Sequence, residues 1–458
     1  MSLKKIGTVV SILMLLSAFG LHLIYGAEAV QMVSIIVMLL FLIILVCEVL
    51  PVMLACILTL GIMPVLGVTN DFNTALSGFS NQVVFFILSS FGIAAALMKV
   101  PFSKRVLRFL LVKFGRNSKM LVLVFMICTA LVSSVISNVP TCALFTAITS
   151  ELLKMLPEAE KKQTGKTFMI GIPIASMIGG IATPAGSSIN LLAIGLLENN
   201  SDSRISFVQW MSFGIPIAIV ILPIAWFLLI RIFPPSEIER SKINTFADNM
   251  NIPEKFLPEE KRALFIFLTM LFLWLISSWI SSINIMVVSL IGCGIYCIPK
   301  IGVLTVKEFV EKISWDAVFL VGTVLSLAGA LVNNGVSDTL ISVLPEMNFT
   351  QILVCVCIAA ASFLLLIFIP VAPSLVAFFT PVVIHISVSS GVNPALTVML
   401  CAMCAGNSYL LPLDTVALLA YSQGYFKMFE MTKVTAVLQL IFIGVASGFI
   451  CLLGSVIM

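Results

Sequence analysis

Two groups of small polar residues interrupt tracts that are otherwise almost wholly apolar. The first comprises Ser133, Ser137, Asn138, Thr141, Ser176, Thr183, Ser187, Ser188 and Asn190; the second comprises Ser374, Asn407, Ser408, Asp414 and Thr415. Their side chains offer hydroxyls, amides and one carboxylate. Ser, Thr and Asn oxygens, with carbonyls freed where a helix unwinds, suit a hard cation such as Na⁺. Amide and hydroxyl donors, helix N-termini and a co-bound cation suit an anion that no Lys or Arg reaches. Isolated Ser and Thr in apolar helices often bond back to their own helix. The sets Ser133–Ser137–Asn138 and Ser176–Gly180–Ser187–Asn190 differ, because both fall at breaks in the apolar pattern and at matching depth.

Ionisable side chains at membrane depth are costly and mark function. Glu48 stands at the boundary between two apolar segments, as an interfacial residue. Asp316 follows Trp315 at a helix start, where an N-terminal capping role is expected. Asp414 lies between Pro412 and Thr415, in a tract interrupted from residue 347 onward only by His385. It is the sharpest candidate for a cation or proton site. His385 reads as a packing residue. Cys401 and Cys404 form a CxxC, with no further ligand-type side chain nearby, and read as small apolar residues on one helix face.

The elements that must position these groups follow from composition. The 458 residues are 60% hydrophobic and 10% charged, with 25 Lys+Arg and 21 Asp+Glu, and the mean hydropathy is +1.18. A soluble domain has roughly 25% charged residues. A soluble enzyme, a disordered chain and a nucleic-acid binder are excluded, and the continuous apolar runs differ from the alternating strands of an outer-membrane barrel. The 11 cysteines lie mostly inside apolar runs and form no disulfide framework. The fold class expected is an all-α polytopic membrane protein with an inverted repeat.

Crossing helices of ~20 apolar residues are expected at 6–26, 30–48, 51–67, 81–100, 165–197, 206–232, 262–281, 283–299, 315–335, 393–421 and 433–456. Two stretches, 120–156 and 349–390, are too long for one crossing and carry polar residues and prolines at their centres. They read as re-entrant hairpins, tolerated only where protein or a wet cavity surrounds the broken backbone. With the N-terminus in the cytoplasm, eleven crossings place 24 of the 25 Lys/Arg inside and leave only Arg204 outside, as the positive-inside rule requires. Glu28, Asp71, Glu198, Asp202, Asp338 and Glu346 then fall outside, as does the C-terminus. Residues 99–119 carry seven cations and no acid, the composition of an amphipathic helix on the inner face.

The domain reading is a first transmembrane helix (1–29), a first repeat (30–233) with hairpin 120–156 and broken helix 165–197, a cytoplasmic linker (234–261), and a second repeat (262–458) with hairpin 349–390 and broken helix 393–421. SNVPTCALFTAIT (137–149) and VAPSLVAFFTPVV (371–383) occupy corresponding places, and five crossings lie between them. An odd number inverts the second copy. Paired interrupted segments of this kind point to a transporter's binding site.

Several segments resemble the divalent anion/sodium symporter family. EVLPVMLACILTLGIMPVLG (48–67) resembles its Glu-x-x-Pro helix opening, and AAALMKVPFSKR (94–105) its Lys-Arg end before an interfacial helix. ISNVPT (136–141) stands at the first Ser-Asn-Thr motif, and SMIGGIATPAGSSIN (176–190) resembles the Gly-Gly segment. WDAVFLVGTVLSLAGALVNNG (315–335) and SYLLPLDTVALLAYSQGYFKMFEM (408–431) resemble second-half segments. The resemblance implies a homodimer in the bilayer of the cytoplasmic membrane that moves a small anion (a di- or tricarboxylate, or sulfate-like) with Na⁺ by an elevator-type shift. No organic cofactor is implied. Ser133, Ser137, Asn138, Ser176 and Gly180 would form the first Na⁺ site. Asn138, Ser187 and Ser188 would face the substrate, with Val139, Thr141, Asn190, Ser374 and Thr415 lining the same region. Two departures stand out. Val139 replaces the Thr of the first motif, and Val371, Ala372 and Pro373 stand where the second Ser-Asn-Thr is expected. Asp414 either replaces those lost ligands, as a cation or proton site, or the second site binds no cation. A cation/proton antiporter using Asp414 is the competing reading. A membrane-embedded enzyme is disfavoured, because no HExxH, paired intramembrane Asp or Cys–His pair is present.

Overall fold

The computed structural model describes residues 3–457 apart from 48, 116, 251, 281, 337–349, 369–371 and 413. Glu48, Asp338, Glu346 and Val371 therefore lie outside the described residues. All described regular elements are helical: α1 (Leu3–Tyr25), α2 (Val30–Val46), α3 (Val52–Val65), α4 (Phe72–Ala75), α5 (Gln82–Lys99), α6 (Phe102–Phe114), α7 (Ser118–Ile136), α8 (Asn138–Lys154), α9 (Glu158–Gly180), α10 (Ser188–Asn200), α11 (Phe207–Ile232), α12 (Arg240–Asp248), α13 (Pro258–Ile276), α14 (Ile285–Cys297), α15 (Val306–Lys312), α16 (Trp315–Asn333), α17 (Gln351–Phe368), α18 (Ala372–Ser389), α19 (Pro394–Ala405), α20 (Thr415–Tyr421) and α21 (Met428–Ile457). Seven described helical stretches are long and apolar enough to cross a membrane, the first of them, Lys4–Leu45, spanning both α1 and α2.

Stretch 120–156 comprises α7 and α8 with one residue between them, and 349–390 contains α17 and α18. The tract 165–197 is α9, a 3₁₀ turn at Pro184–Gly186, and α10; 393–421 is α19, an irregular stretch, and α20. Helix α9 begins at Glu158, seven residues earlier than expected. Glu158 and Glu160 in its first turn complement the helix dipole, so the polar approach is helical rather than looped.

The chain divides into two compact units, and each draws on both halves of the sequence. The first is Met1–Leu88, Leu191–Arg204 and Ser314–Ala405; the second is Ser89–Asn190, Ile205–Ile313 and Gly406–Met458. In the first unit α1 packs along α2, α3 lies against α16, and α19 packs on both α17 and α18. Asn334 Nδ2 donates to Ser34 Oγ (2.8 Å) and Val68 O (2.9 Å). The capping expectation for Asp316 needs correcting. Ser314 caps α16, while Asp316 Oδ1 accepts the Met53 N–H at 3.0 Å and so serves the N-terminus of α3. Pro51 precedes that helix and supplies no side-chain cap, which leaves its first donors open to a neighbour. The side chains of Cys401 and Cys404 are fully buried in α19, as their apolar reading required. His385 Nε2 lies 3.4 Å from Ser389 Oγ, one turn away on its own helix.

In the second unit α7, α8 and α9 pack together, α11 lies along α9 and α21, and α20 packs against α8 and α9. Segment 234–261, expected as a polar linker, is docked instead. It carries α12, buries Ile238, Ile243, Phe246 and Ala247, and donates from Ile238 N to Ser118 Oγ at 2.6 Å. Apolar residues spaced at helical intervals among its charges account for the docking.

Beside it, Glu260 is fully buried and accepts from Arg105 Nε at 2.7 Å. Arg105 also donates to Lys255 O (2.8 Å) and covers the Phe256 ring at 4.5 Å. Removing one partner of such a pair strands the other charge. Arg105→Gln should therefore destabilise the protein by about 3–5 kcal/mol, with Arg105→Gln/Glu260→Gln recovering most of the loss in thermal unfolding. Additive losses in the double variant would show that the two side chains do not act as a pair.

Candidate substrate and cation site

Ser137 is the single residue between α7 and α8, and its backbone sits at φ 88°, ψ 152°. That region is close to glycine-only and costs of order 1–3 kcal/mol for a residue with a Cβ. The reversal is tight because the surrounding side chains hold it. Asn138, first in α8, is 6% exposed, and Ser133 and Ser176 are fully buried. Ser133 Oγ lies 2.8 Å from the Asn138 amide and 3.1 Å from Ser176 Oγ. Ser176 Oγ donates to Asn138 O at 2.8 Å. One terminal atom of the Asn138 amide is surrounded by acceptors: Ser176 O (3.0 Å), Gly186 O (3.2 Å) and Ser133 Oγ (2.8 Å). Those acceptors are satisfied in either of two ways. The amide nitrogen can share its two hydrogens among the three, or the amide oxygen can join them around a cation.

The turn after α9 completes the cluster. Thr183 Oγ1 donates to Ser134 O at 2.6 Å and accepts Gly186 N–H at 3.1 Å. Asn190 Nδ2 donates to Gly180 O (2.8 Å) and Thr183 O (3.0 Å). Ile189 N–H donates to Ser187 Oγ at 3.3 Å, and Ser188 begins α10. Gly180 must be glycine: a Cβ there would stand 1.9 Å from the Asn138 amide. In this cluster two fully buried polar atoms, Thr141 Oγ1 and Asn190 Oδ1, have no hydrogen-bond partner among the described residues. Buried polar atoms are rarely left so, and these two offer contacts to a polar ligand. The N-terminus of α8 has no side-chain cap, so its first N–H groups are also available. Val139, second in α8, is 40% exposed.

Of the residues singled out from sequence, Ser133, Ser137, Asn138, Thr141, Ser176, Gly180, Ser187, Ser188 and Asn190 belong to the second unit with Asp414 and Thr415, and Ser374 to the first. Asp414 caps α20 by accepting Val416 N–H at 2.9 Å. That helix meets the hairpin directly: Cys142 Sγ donates to Val416 O at 3.3 Å. Asp414 therefore has a structural role as the cap of α20. Ser374 is fully buried, and its Oγ has no partner among the described residues. The carbonyls of Ser176 and Gly186 were not foreseen, because a carbonyl's participation leaves no mark in residue type. Thr183 was noted only as a polar break, although the Thr-Pro-Ala-Gly sequence around it is an N-cap signal. Among the described residues no group of three His, Cys, Asp or Glu side chains is placed to hold a metal ion.

The profile of the citrate transporter family matches residues 41–376. The chain belongs to that family. This citrate transporter family member is a transporter rather than an enzyme, a multi-pass membrane protein, and a member of the divalent anion/sodium symporter group that its motifs resembled. A sodium-dependent dicarboxylate transporter of Staphylococcus saprophyticus is 24% identical over 398 residues, covering 80% of this chain and 75% of the relative. A transporter of Haemophilus influenzae without an assigned substrate is 25% identical over 383 residues, 80% of each chain. Among solved structures, the Neisseria gonorrhoeae antimetabolite efflux pump MtrF aligns with a TM-score of 0.52 at 13% identity over 82% of each chain, a likeness of fold alone.

The strain at the hairpin tip is open to measurement. Ser137→Gly should raise thermal stability by about 1 kcal/mol while lowering transport, since the hydroxyl is lost with the strain. No gain in stability would mean that the tip carries no strain.

Proposed function

We propose that this chain is a Na⁺-coupled secondary transporter of a small di- or tricarboxylate, or a sulfate-like anion, across the cytoplasmic membrane. The observation that carries it is the acceptor-rich environment of the Asn138 amide, held between a strained hairpin tip and the broken α9–α10 segment. The sodium-dependent dicarboxylate transporters among its relatives support the same solute class and coupling ion.

The residues fit Na⁺. The Ser133 and Ser176 hydroxyls, the Asn138 amide oxygen and the Ser176 and Gly186 carbonyls are neutral hard oxygens, the donor type a monovalent hard cation takes. Ser137 and Gly180 shape the backbone around them. When bound, Na⁺ supplies the fixed positive charge that no side chain provides. The chain's own groups then orient the anion. The open N-terminus of α8 and the start of α10 present backbone N–H groups, and Thr141, Ser187, Ser188 and Asn190 offer hydrogen-bonding groups. Val139 adds an apolar edge where a Thr would have given a donor. Ser374 and Thr415 are the second-half candidates.

Eleven crossings with two re-entrant hairpins, an N-terminus inside and a C-terminus outside follow from the charge partition. A homodimer and an elevator-type shift follow from the family resemblance. For the second cation site, Asp414 is the one carboxylate of the α20 region that touches the hairpin's neighbourhood, and it supports proton or Na⁺ exchange as the second reading. Accumulation of a labelled anion separates the two: an antiporter exchanges Na⁺ for H⁺ without it.

Three measurements test the reading. Purified protein should gain thermal stability from dicarboxylate, citrate or sulfate only when Na⁺ is present; equal gains in Na⁺-free buffer would remove the coupling. Asn138→Ala should abolish uptake in a folded protein, and normal uptake would take the first hairpin out of the site. Asp414→Asn should change the Na⁺ or pH dependence of uptake, and if both stay unchanged Asp414 is a helix cap only.

A further inference from the structure

A groove of about 670 Å³ opens on the second unit, lined by α6 residues together with Phe256 and Ile252. Helix α6 is apolar on two sides. Leu107 and Leu111 are buried in the protein, whereas Phe109, Val112 and Phe114 are 61%, 58% and 41% exposed and Phe256 is 47% exposed. The cations of the groove differ in how far they are neutralised. Arg105 is committed to the buried Glu260. Arg108 meets Asp248 at 3.2 Å, a carboxylate whose side chain is 72% exposed, and surface pairs of this kind hold weakly. Lys113 lies 5.5 Å over the Phe109 ring and 5.4 Å over the Phe114 ring, with no ion pair among the described residues.

We propose that this groove is a binding site for an anionic phospholipid, with the phosphate between Arg108 and Lys113 and an acyl chain along Phe109 and Val112. Two features select that occupant. The segment 99–119 carries seven cations and no acid, so an anion is favoured. A soluble phosphate would leave Phe109, Val112 and Phe256 facing water, whereas a phospholipid covers them, as at the interfacial face of an amphipathic membrane helix. The placement of α6 at the inner membrane surface rests on the topology proposed above, while the groove itself is a feature of the second unit alone. Occupancy would tie α6, and through Arg105 and Glu260 the start of α13, to the lipid composition of the membrane.

The probe is phosphatidylglycerol titrated into detergent-solubilised wild-type protein and counted by native mass spectrometry, with phosphatidylcholine as the neutral comparison. Each surface cation contributes on the order of fivefold to binding an anionic lipid, so Arg108→Gln/Lys113→Gln should weaken the tightest phosphatidylglycerol site by about thirtyfold. Lys307→Gln/Lys312→Gln, which removes two cations elsewhere, should leave that site intact. Equal losses from both pairs would overturn the proposal and leave only a diffuse positive surface. Displacement by glycerol phosphate as effective as by the lipid would overturn it in favour of a soluble anion. A change of oligomer mass in the first double variant, with the lipid count unaltered, would assign the groove to a second copy of the chain. Because the titration is done in micelles it does not depend on sidedness. Labelling of the Lys104→Cys variant from outside intact cells, above that of the wild-type protein, would instead sink the topology, whatever the lipid result.

Discussion

Backbone polar groups inside a bilayer must be satisfied by the protein itself, since no solvent there can do it. At Ser137 α7 ends and α8 begins with a single residue between them, so the backbone groups at both helix ends need partners. The structure answers with side chains. Ser176 Oγ donates to the Asn138 carbonyl, Thr183 Oγ1 donates to the Ser134 carbonyl, and Asn190 holds the carbonyls of Gly180 and Thr183. Ser176, Thr183, Ser187 and Asn190 each bond a backbone group on their own segment or on the hairpin. These bonds tie the two breaks together as a pair.

That mutual dependence explains the composition of the region. Close approach requires glycine where α9 meets the hairpin: a Cβ on Gly179 would fall 2.2 Å from Ala130 O, and one on Gly180 would meet the Asn138 amide. Trp210 Nε1 donates to Ile181 O at 2.9 Å, so α11 secures the first carbonyl after α9. Within the hairpin and the α9–α10 break, Thr141 Oγ1 and Asn190 Oδ1 have no hydrogen-bond partner among the described residues.

The surface of the second unit follows different rules. There the charges are ordinary in number but unequal in weight. The Arg105–Glu260 pair is buried and governs the docking of segment 234–261, whereas Lys99–Glu308 is partly exposed, its two side chains being 38% and 39% accessible. Glu308 is held down at about 2 by its hydrogen bond from Lys99 and by the Thr305 N–H. A carboxyl depressed in the folded state stabilises above its unfolded pKa and loses that contribution only as the pH falls toward 2. This pair therefore stays intact across the physiological range.

The sequence alone determined the membrane class, and it marked long apolar tracts and the breaks that Pro, Gly and Asn punctuate within them, because both signals act locally along the chain; the early start of α9 and the helix α12 lay outside that reading. It also marked Ser133, Asn138, Ser176, Gly180 and Asn190 as a set, through their spacing around two such breaks. Tertiary structure alone decided which atoms those residues use. The carbonyls of Ser176 and Gly186 complete the cluster although any residue type carries a carbonyl. Asp316 caps α3 rather than its own helix, because Ser314 already holds the local donor and the open N–H groups of α3 lie across the unit. Segment 234–261 reads as a linker by composition, yet it docks, because Ile238, Ile243 and Phe246 find an apolar surface assembled from residues more than a hundred positions away. Contacts between distant segments carry no local signature, and they are what brought a legible set of residues into one cluster.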